Sequence, residues 1–393
     1  RSDCITIVTI SSTLGLRLDH SQRRDNCSID WWRVPSGTVP PNEWLVSTYS
    51  MLTLDGAGGG GQILRTALSL ATITDTPVRI EKIRGSRPDP GLKPQHLTAV
   101  DLVAELCDAE VDGAELGADS LTFRPGSARR RSLRAAVGTA GSLTLLFDTV
   151  LPIAATADEP FELTATGGTN VKWAPTIEYQ QLVKGPLLDD CGVPVSIDCS
   201  KTGFYPAGGG EATLRTNPGS LSPVELESRG KLEAVEIYST ASEDLADREV
   251  ADRQASHAET ELEAVGFPAT VQRVVYVPTE STGSSLLLRG VYEQSIVGFD
   301  ALGERGRTSE AVAEGAVEEF TGFHDTDGAV DVYMADQLMP FLALAGGRVR
   351  IPAVSAHVET NLEVINAFGS DLCLDRQPDG TAVLEASTPL QRQ

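Results

Sequence analysis

The chain has 393 residues, with 55 acidic against 32 basic side chains and a net charge of −23. So acidic a surface argues against a non-specific nucleic-acid coat. It fits a protein kept soluble at high ionic strength, as in a salt-loving host, where screening shortens charge repulsion to about 3 Å at 1 M salt.

Residues 1–50 carry Trp31, Trp32, Trp44 and Pro40-Pro41 but no sustained periodicity. They read as an extension outside the folded protein, with a partner-binding arm as the alternative. Met51, where patterning begins, is expected to be the natural start. The next stretch, about 51–126, predicts a strand (Leu52 to Leu54), a Gly-rich turn and a helix (Gln62 to Thr72). A strand (Val78 to Ile83), a loop, a helix (Gln95 to Cys107) and two short strands (Ala109 to Val111, Ser120 to Phe123) follow. About 133–218 repeats this order, with one helix opening at Gly138–Ser142 and a second over Ala174 to Cys191. An insertion comes next: strand (Ala234 to Ser239), helix (Asp247 to Val265), three strands (Thr270 to Val277, Ser284 to Tyr292, Ile296 to Leu302) and helix (Ser309 to Phe323). Its His257 and His324 read as surface histidines. A third unit, about 327–388, predicts helices over Tyr333 to Ala345 and His357 to Phe368 and strands near Leu372 and Ala382. The fold class is therefore α/β (α+β): three βαβαββ-type repeats packing their helices around a shared core, with a small α/β insertion domain before the third repeat. The domain boundaries expected are 1–50 for the extension, 51–218 for repeats one and two, 219–326 for the insertion and 327–393 for repeat three.

No apolar run is long enough to span a bilayer, and the first residues lack the succession of a signal peptide. The six cysteines, Cys4, Cys27, Cys107, Cys191, Cys199 and Cys373, form no CxxC pair. Neither a zinc site nor a disulfide framework is signalled, and a reducing cytoplasm is the simplest compartment. Cys107 and Cys191 sit near the ends of apolar helical patterns and read as core thiols.

Several stretches carry chemistry. Val354–Leu362 follows a strand and opens a helix, with Ser355 a candidate N-cap. That puts His357 in the first turn, where unpaired backbone N–H groups attract phosphate. A neutral imidazole there can attack a nucleotide's phosphorus; the plainer reading is a surface or capping histidine. Asp55–Arg65, DGAGGGGQILR, is a Gly-rich turn into a helix, able to close backbone N–H groups around an anion. No Gly-Lys-Ser/Thr follows, so it is not a Walker loop. Arg65 falls one helical turn in. Ile83–His96, IRGSRPDPGLKPQH, is held by three prolines and two glycines. Arg84 and Arg87 there can present guanidinium forks to phosphate oxygens. Gln95 opens the second helix, and His96, the positional counterpart of His357, reads as a hydrogen-bonding or positioning residue. Gly138–Ser142, GTAGS, is a second helix-opening nest. Thr202–Glu211 is a further glycine cluster, either a nest or a β-turn with a bulge.

Together these pieces, with ADQL at 335–338 and HVETN at 357–361, resemble the RNA 3'-terminal phosphate cyclases, in that family's order from Met51 onward. The resemblance implies the three-repeat fold with its insertion, a repeat akin to that of enolpyruvyl transferases. It implies ATP as co-substrate with Mg²⁺ or Mn²⁺, and an RNA 3'-phosphate end as partner. His357 matches the family's nucleophile, which takes up AMP. Arg65, Arg84, Arg87 and Gln95 match positions binding phosphates or the RNA end. Gln62 matches one close to the nucleotide, and Pro152, Tyr333 and Gln337 match those holding adenosine. Many members carry a Glu within the turn, as QGEGGGQ; here AGGGGQ has no acid. The metal ligands are therefore unknown, with Asp55 or Asp336 as possible substitutes and Asp336 placed beside the nucleotide. No membrane and no obligate protein partner are expected. Two other readings stay open: a non-catalytic cyclase-like protein of ribosome assembly, which would lack the nucleophilic histidine, and an enolpyruvyl transferase, whose Lys-rich pocket is hard to find among so few lysines.

Overall fold

The computed structural model describes residues 51–138 and 140–390; the reading of 1–50 as an extension lies outside the described residues. Strand β1 (Leu52–Asp55) runs through the glycine turn into helix α1 (Gly61–Thr74). Nearly all of α1 is buried, its polar residues included. Two of them are tolerated because their hydroxyls turn back onto the helix: Thr72 donates to Leu68 O and Thr74 to Leu70 O, each at 2.8 Å. Asp75, left-handed at φ 59°, ends the helix. Strand β2 (Val78–Glu81), helix α2 (Pro94–Cys107) and strands β3 (Glu110–Asp112) and β4 (Leu121–Arg124) complete a sheet ordered β1-β2-β4-β3. Its β1–β2 pair is parallel and the others antiparallel.

The second stretch follows the same scheme. Strand β5 (Ser132–Ala136), helix α3 (Leu143–Ala155) and strand β6 (Phe161–Gly167) lead to α4 (Ile177–Tyr179), a π-helical turn (Gln180–Lys184) and α5 (Gly185–Asp190). Strands β7 (Val195–Lys201) and β8 (Gly210–Thr216) close a sheet ordered β5-β6-β8-β7. The helix predicted from Ala174 starts instead at Ile177. Pro175 keeps the preceding backbone out of the helix, and the Thr176 hydroxyl caps it, accepting from Tyr179 N at 3.2 Å.

Strand β9 (Val224–Leu226) lies within the stretch assigned from sequence to the insertion. Then come β10 (Leu232–Ser242), a 3-10 turn (Glu243–Arg248), α6 (Val250–Ala264), β11 (Ala269–Val277), β12 (Ser284–Tyr292), β13 (Ile296–Leu302) and α7 (Ser309–His324). These form their own sheet, β11-β10-β12-β13. Helices α8 (Val332–Gln337) and α9 (Met339–Ala345), strand β14 (Gly347–Ile351), helix α10 (Ala356–Ala367) and strands β15 (Cys373–Arg376) and β16 (Ala382–Ala386) follow. Here β9 pairs in parallel with β14, giving the order β9-β14-β16-β15. The inserted module therefore begins after Leu226 and interrupts this sheet rather than preceding it. Three residues carry too little alternation to be seen as a strand. The helix predicted over Tyr333 to Ala345 is broken at Leu338, since Pro340 has no N–H to continue the ladder.

One apolar cluster draws on α1, α2, α3, α5, α9 and α10 and on residues such as Ile80, Leu163 and Val349 of three sheets. A second lies within the inserted module between its sheet and α6 and α7. Cys107 and Cys191 are buried thiols, as their patterns predict. His324 is not a surface residue: its ring is half-buried between Tyr292 and Phe267, and its Nδ1 meets the Tyr292 hydroxyl at 2.8 Å. His257 is likewise half-buried, 3.4 Å from Glu314. Among the described residues no helix is long and apolar enough to cross a membrane.

Candidate active site

The glycine turn earns its composition from what stands against it. A Cβ on Gly61 would come within 2.6 Å of His96 Nε2 and 2.8 Å of Arg65 Nη1. One on Gly60 would meet Arg87 Nη2 at 3.4 Å. Bare backbone here lets two guanidinium groups and an imidazole close on the opening of α1. Gln62 folds its side chain back, accepting from Gly60 N at 2.9 Å and donating from Nε2 to Thr360 Oγ1 at 3.1 Å.

Thr360 belongs to α10, so this bond joins the glycine turn to the helix carrying His357. A second link lies deeper, where Thr66 Oγ1 donates to Asn361 Oδ1 at 3.0 Å. Ser355 caps α10 as its sequence predicts, accepting from Val358 N at 3.2 Å. His357 stands exposed in the first turn. Its imidazole makes no hydrogen bond or ion pair among the described residues. Partial burial pushes its pKa below the usual 6.5, and the Arg65 and Arg87 charges push it the same way. The ring is therefore neutral at pH 7, with a lone pair open to an electrophile.

Arg65 is half-buried, and Asp148 and Asp336 offset the cost of sinking its charge. Asp148 also accepts from Gln180 Nε2 at 2.8 Å and pairs with Lys184 Nζ at 2.5 Å. Burial pushes Asp336 up to about 6, with Arg65 pulling it down; Asn361 Nδ2 lies 3.5 Å from its carboxylate. Asp148 and Lys184 were not singled out from sequence. Their signal is a charge set inside an apolar helical run, LTLLFDTVLP and EYQQLVKGPLL. Thr360 and Asn361 lie inside a quoted motif but gave no sign of their partners.

The loop between β2 and α2 supplies the other wall. Arg87 is exposed and lies over Gly60. Arg84 behaves differently from the paired fork expected. Its backbone is left-handed at φ 55°, and its Nη1 donates to Asp89 O at 2.8 Å and Gly91 O at 3.1 Å. It braces the loop while its charge still bears on His96. Gln95 Oε1 accepts from Ser142 N at 3.3 Å, tying this loop to the Gly138–Ser142 turn, of which Thr139 lies outside the described residues. His96 Nδ1 accepts from Lys93 N at 3.1 Å. Burial first, then Arg65, Arg84 and Lys93, take its pKa down to about 4. The neutral ring with an occupied Nδ1 lone pair carries its proton on Nε2, facing Gly61.

The remaining predicted residues divide. Gln337 Oε1 is buried and accepts no hydrogen bond among the described residues. An amino group such as adenine's would satisfy it. Tyr333 is half-exposed, its hydroxyl donating to Glu319 Oε2 at 3.0 Å, so α8 is tied to α7 of the inserted module. Pro152 is buried inside α3. Asp55 is engaged by Lys82 Nζ at 2.6 Å and Ala57 N at 2.8 Å, which holds its carboxyl below the usual range and leaves it ill placed to serve a metal. Among the described residues no three His, Cys, Asp or Glu side chains gather as a metal cage. The Thr202–Glu211 glycine cluster is the β7–β8 turn, with a register shift between Cys199 and Lys201.

Comparison with known proteins fits this geometry. The family model for RNA 3'-terminal phosphate cyclase matches residues 57–371. An RNA 3'-terminal phosphate cyclase of Halobacterium salinarum is 42% identical over 347 residues, 86% of this chain and 100% of that protein. One of Hyperthermus butylicus is 41% identical over 327 residues, 80% of this chain and 90% of that protein. The enolpyruvyl transferase NikO of Streptomyces tendae aligns over 84% of this chain and 47% of its own, at 11% identity and a TM-score of 0.33, too slight a likeness to bear on the fold. The chain belongs to the RNA 3'-terminal phosphate cyclase family.

Proposed function

We propose that the protein converts an RNA 3'-terminal phosphate to a 2',3'-cyclic phosphodiester at the expense of ATP. The observation that carries this reading is the unpartnered, neutral imidazole of His357, on the helix that Thr360 ties to the glycine turn and within the field of Arg65 and Arg87. In the first step a ring nitrogen of His357 attacks the α-phosphorus of ATP. A P–N bond forms, the bond to the β-phosphate oxygen breaks and pyrophosphate leaves. In the second, an oxygen of the RNA 3'-phosphate attacks the same phosphorus, the P–N bond breaks and RNA–pp–A forms. In the third, the neighbouring 2'-OH attacks the RNA phosphorus, loses its proton and expels AMP. The phosphomonoester lacks a good leaving group, and AMP supplies one. Intramolecular attack carries an effective molarity on the order of 10⁵ M or more.

Arg65 and Arg87 offset charge on the phosphates, Gln95 and the Gly138–Ser142 turn hold the RNA end, and His96 donates from Nε2. Gln62 and Asp336 lie beside the nucleotide; Gln337, Tyr333 and Pro152 hold its adenosine, and the orphaned Gln337 oxygen supports that placement. A divalent cation, Mg²⁺ or Mn²⁺, would enter on the nucleotide phosphates, for the turn offers it no carboxylate. The like-ordered sheets are read as three βαβαββ repeats, and ATP as co-substrate goes with a cytoplasmic setting. The free imidazole disfavours a non-catalytic, assembly-factor reading. The test is turnover of a 3'-phosphorylated RNA with ATP, read as resistance of the end to phosphatase. The same oligonucleotide with a terminal 2'-deoxyribose should stay phosphatase-sensitive or stall as the adenylate, since it lacks the third step's nucleophile. A 2'-deoxy end recovered one water lighter than the starting phosphate, as only a cyclic end would be, would overturn the mechanism.

A further inference from the structure

Two surface features outside the site stand out against the chain's acidity. The first is Trp173, which is 95% exposed and left-handed at φ 63°. L side chains rarely adopt that conformation, and Trp is a poor choice for it. The second is a cleft of about 600 Å³ on the inserted module, where the 3-10 turn after β10 and the loop after β13 meet. Four arginines line it, Arg248, Arg253, Arg305 and Arg307, with Glu304 the one acid among its lining residues. Residues of the first turns of α6 and α7, Val250, Arg253, Ser309 and Val312, line it as well, so the positive ends of both helix dipoles bear on it. The opposing charges are accounted for. Glu304 is paired with Lys172 at 2.9 Å, Glu310 takes Arg253 in two hydrogen bonds, and Asp244 is bonded to Thr282 and faces Arg248. Arg307 gives one N–H to Ala311 O, and Arg305 has no partner among the described residues. The cleft is therefore locally positive in a chain of net charge −23.

The two features are joined to each other and to the site. The Lys172–Glu304 pair binds the Trp173 loop to the cleft's rim. At its other end the loop starts from Gly168, which donates to Gly141 O at 2.8 Å and accepts from Leu143 N at 2.9 Å. Gly141 sits beside Gln95. Trp173 lies five residues on from Gly168, a span of at most about 18 Å.

We propose that the RNA leading to the reacting end runs from the Gly138–Ser142 turn over Trp173 to this cleft, a base stacking on the indole and phosphodiesters lying against the arginines. Aromatic stacking suits a single-stranded end whose bases are free, and it survives salt that screens charge. This rests on the cyclase reading and deepens it: the protein recognises the body of the strand as well as its terminal phosphate.

The test compares KM and kcat for a 3'-phosphorylated dinucleotide and for an unstructured RNA of about ten nucleotides, within the range one such surface covers. Trp173→Ala and Arg305→Glu should each raise KM for the longer RNA about tenfold, with kcat and the dinucleotide unchanged. Trp173→Phe, which keeps a stacking face, should stay near wild type, and Arg305→Glu should flatten the salt dependence of KM. Labelling of each variant by α-labelled ATP reports that it is folded. A KM for the longer RNA unchanged from wild type in the labelled variants would overturn the track while leaving the cyclase reading intact. A wild-type protein that turned over neither RNA would overturn the cyclase reading, and this proposal with it.

Discussion

At the residue scale, two histidines sit in matching first turns and are made unlike by their neighbours. His357 keeps its ring free, whereas His96 gives its Nδ1 lone pair to Lys93 N. Because the His357 pKa lies below 6.5, the acid limb of self-adenylylation should fall below pH 6.5. Arg87→Gln removes one of the two cations responsible and should move that limb up toward 6.5. A pH series of label incorporation checks this, and an unmoved limb would mean that the guanidinium does not reach the ring. His96 bears on stability instead. The unfolded chain takes a proton at about 6.5, the native one only at about 4. Between those values the unfolded state binds more protons, so stability rises with pH across that window and levels off on either side. His96→Asn should flatten the wild-type slope there, as read by denaturant titration at several pH values.

The roles of these side chains were unevenly legible. Ser355 as N-cap and His357 on the rim follow from one strand–Pro–Ser–helix pattern. The loop-bracing role of Arg84 did not show, because it depends on a left-handed backbone and on carbonyls of Asp89 and Gly91 that only the folded loop brings round.

At the scale of elements, the site depends on α1 being held between α10 and α3. Gln62 and Thr66 hold it to α10, Ser69 Oγ donates to Thr149 O of α3 at 2.6 Å, and Arg65 lies over Asp148. Lys184, almost fully buried in the π-helical turn, completes that last contact. Lys184→Met leaves Asp148 short of a counter-charge and should cost about 3–5 kcal/mol of unfolding free energy. Denaturant unfolding measures it, and a loss under about 1 kcal/mol would show the pair to be solvent-screened. Helices and longer strands were readable from periodicity because each buries a full face. The exceptions have physical causes: β9 is three residues long, the helix before β7 carries a π turn, and Pro340 divides α8 from α9.

At the scale of the whole molecule, the charge of −23 sets the conditions under which everything else operates. Self-repulsion of that size opposes the compact state at low ionic strength. The apparent Tm should therefore rise as KCl is raised from about 0.1 M to 1 M, where the screening length shrinks from about 10 Å to 3 Å. A Tm that is flat or falls over that range would argue against a protein suited to high salt. The same acidity means that an RNA end must be taken up where arginines stand exposed, as Arg87 does over the glycine turn.

The central claim is that His357 carries the nucleotide. Protein incubated with α-labelled ATP and Mg²⁺ or Mn²⁺, then run on a denaturing gel, should show label on the wild-type band. The label should be lost on mild acid treatment, as a P–N bond requires, and absent from His357→Ala. Label that persisted on the His357→Ala band would contradict the account, as would a wild-type protein that cyclised RNA ends without ever becoming labelled.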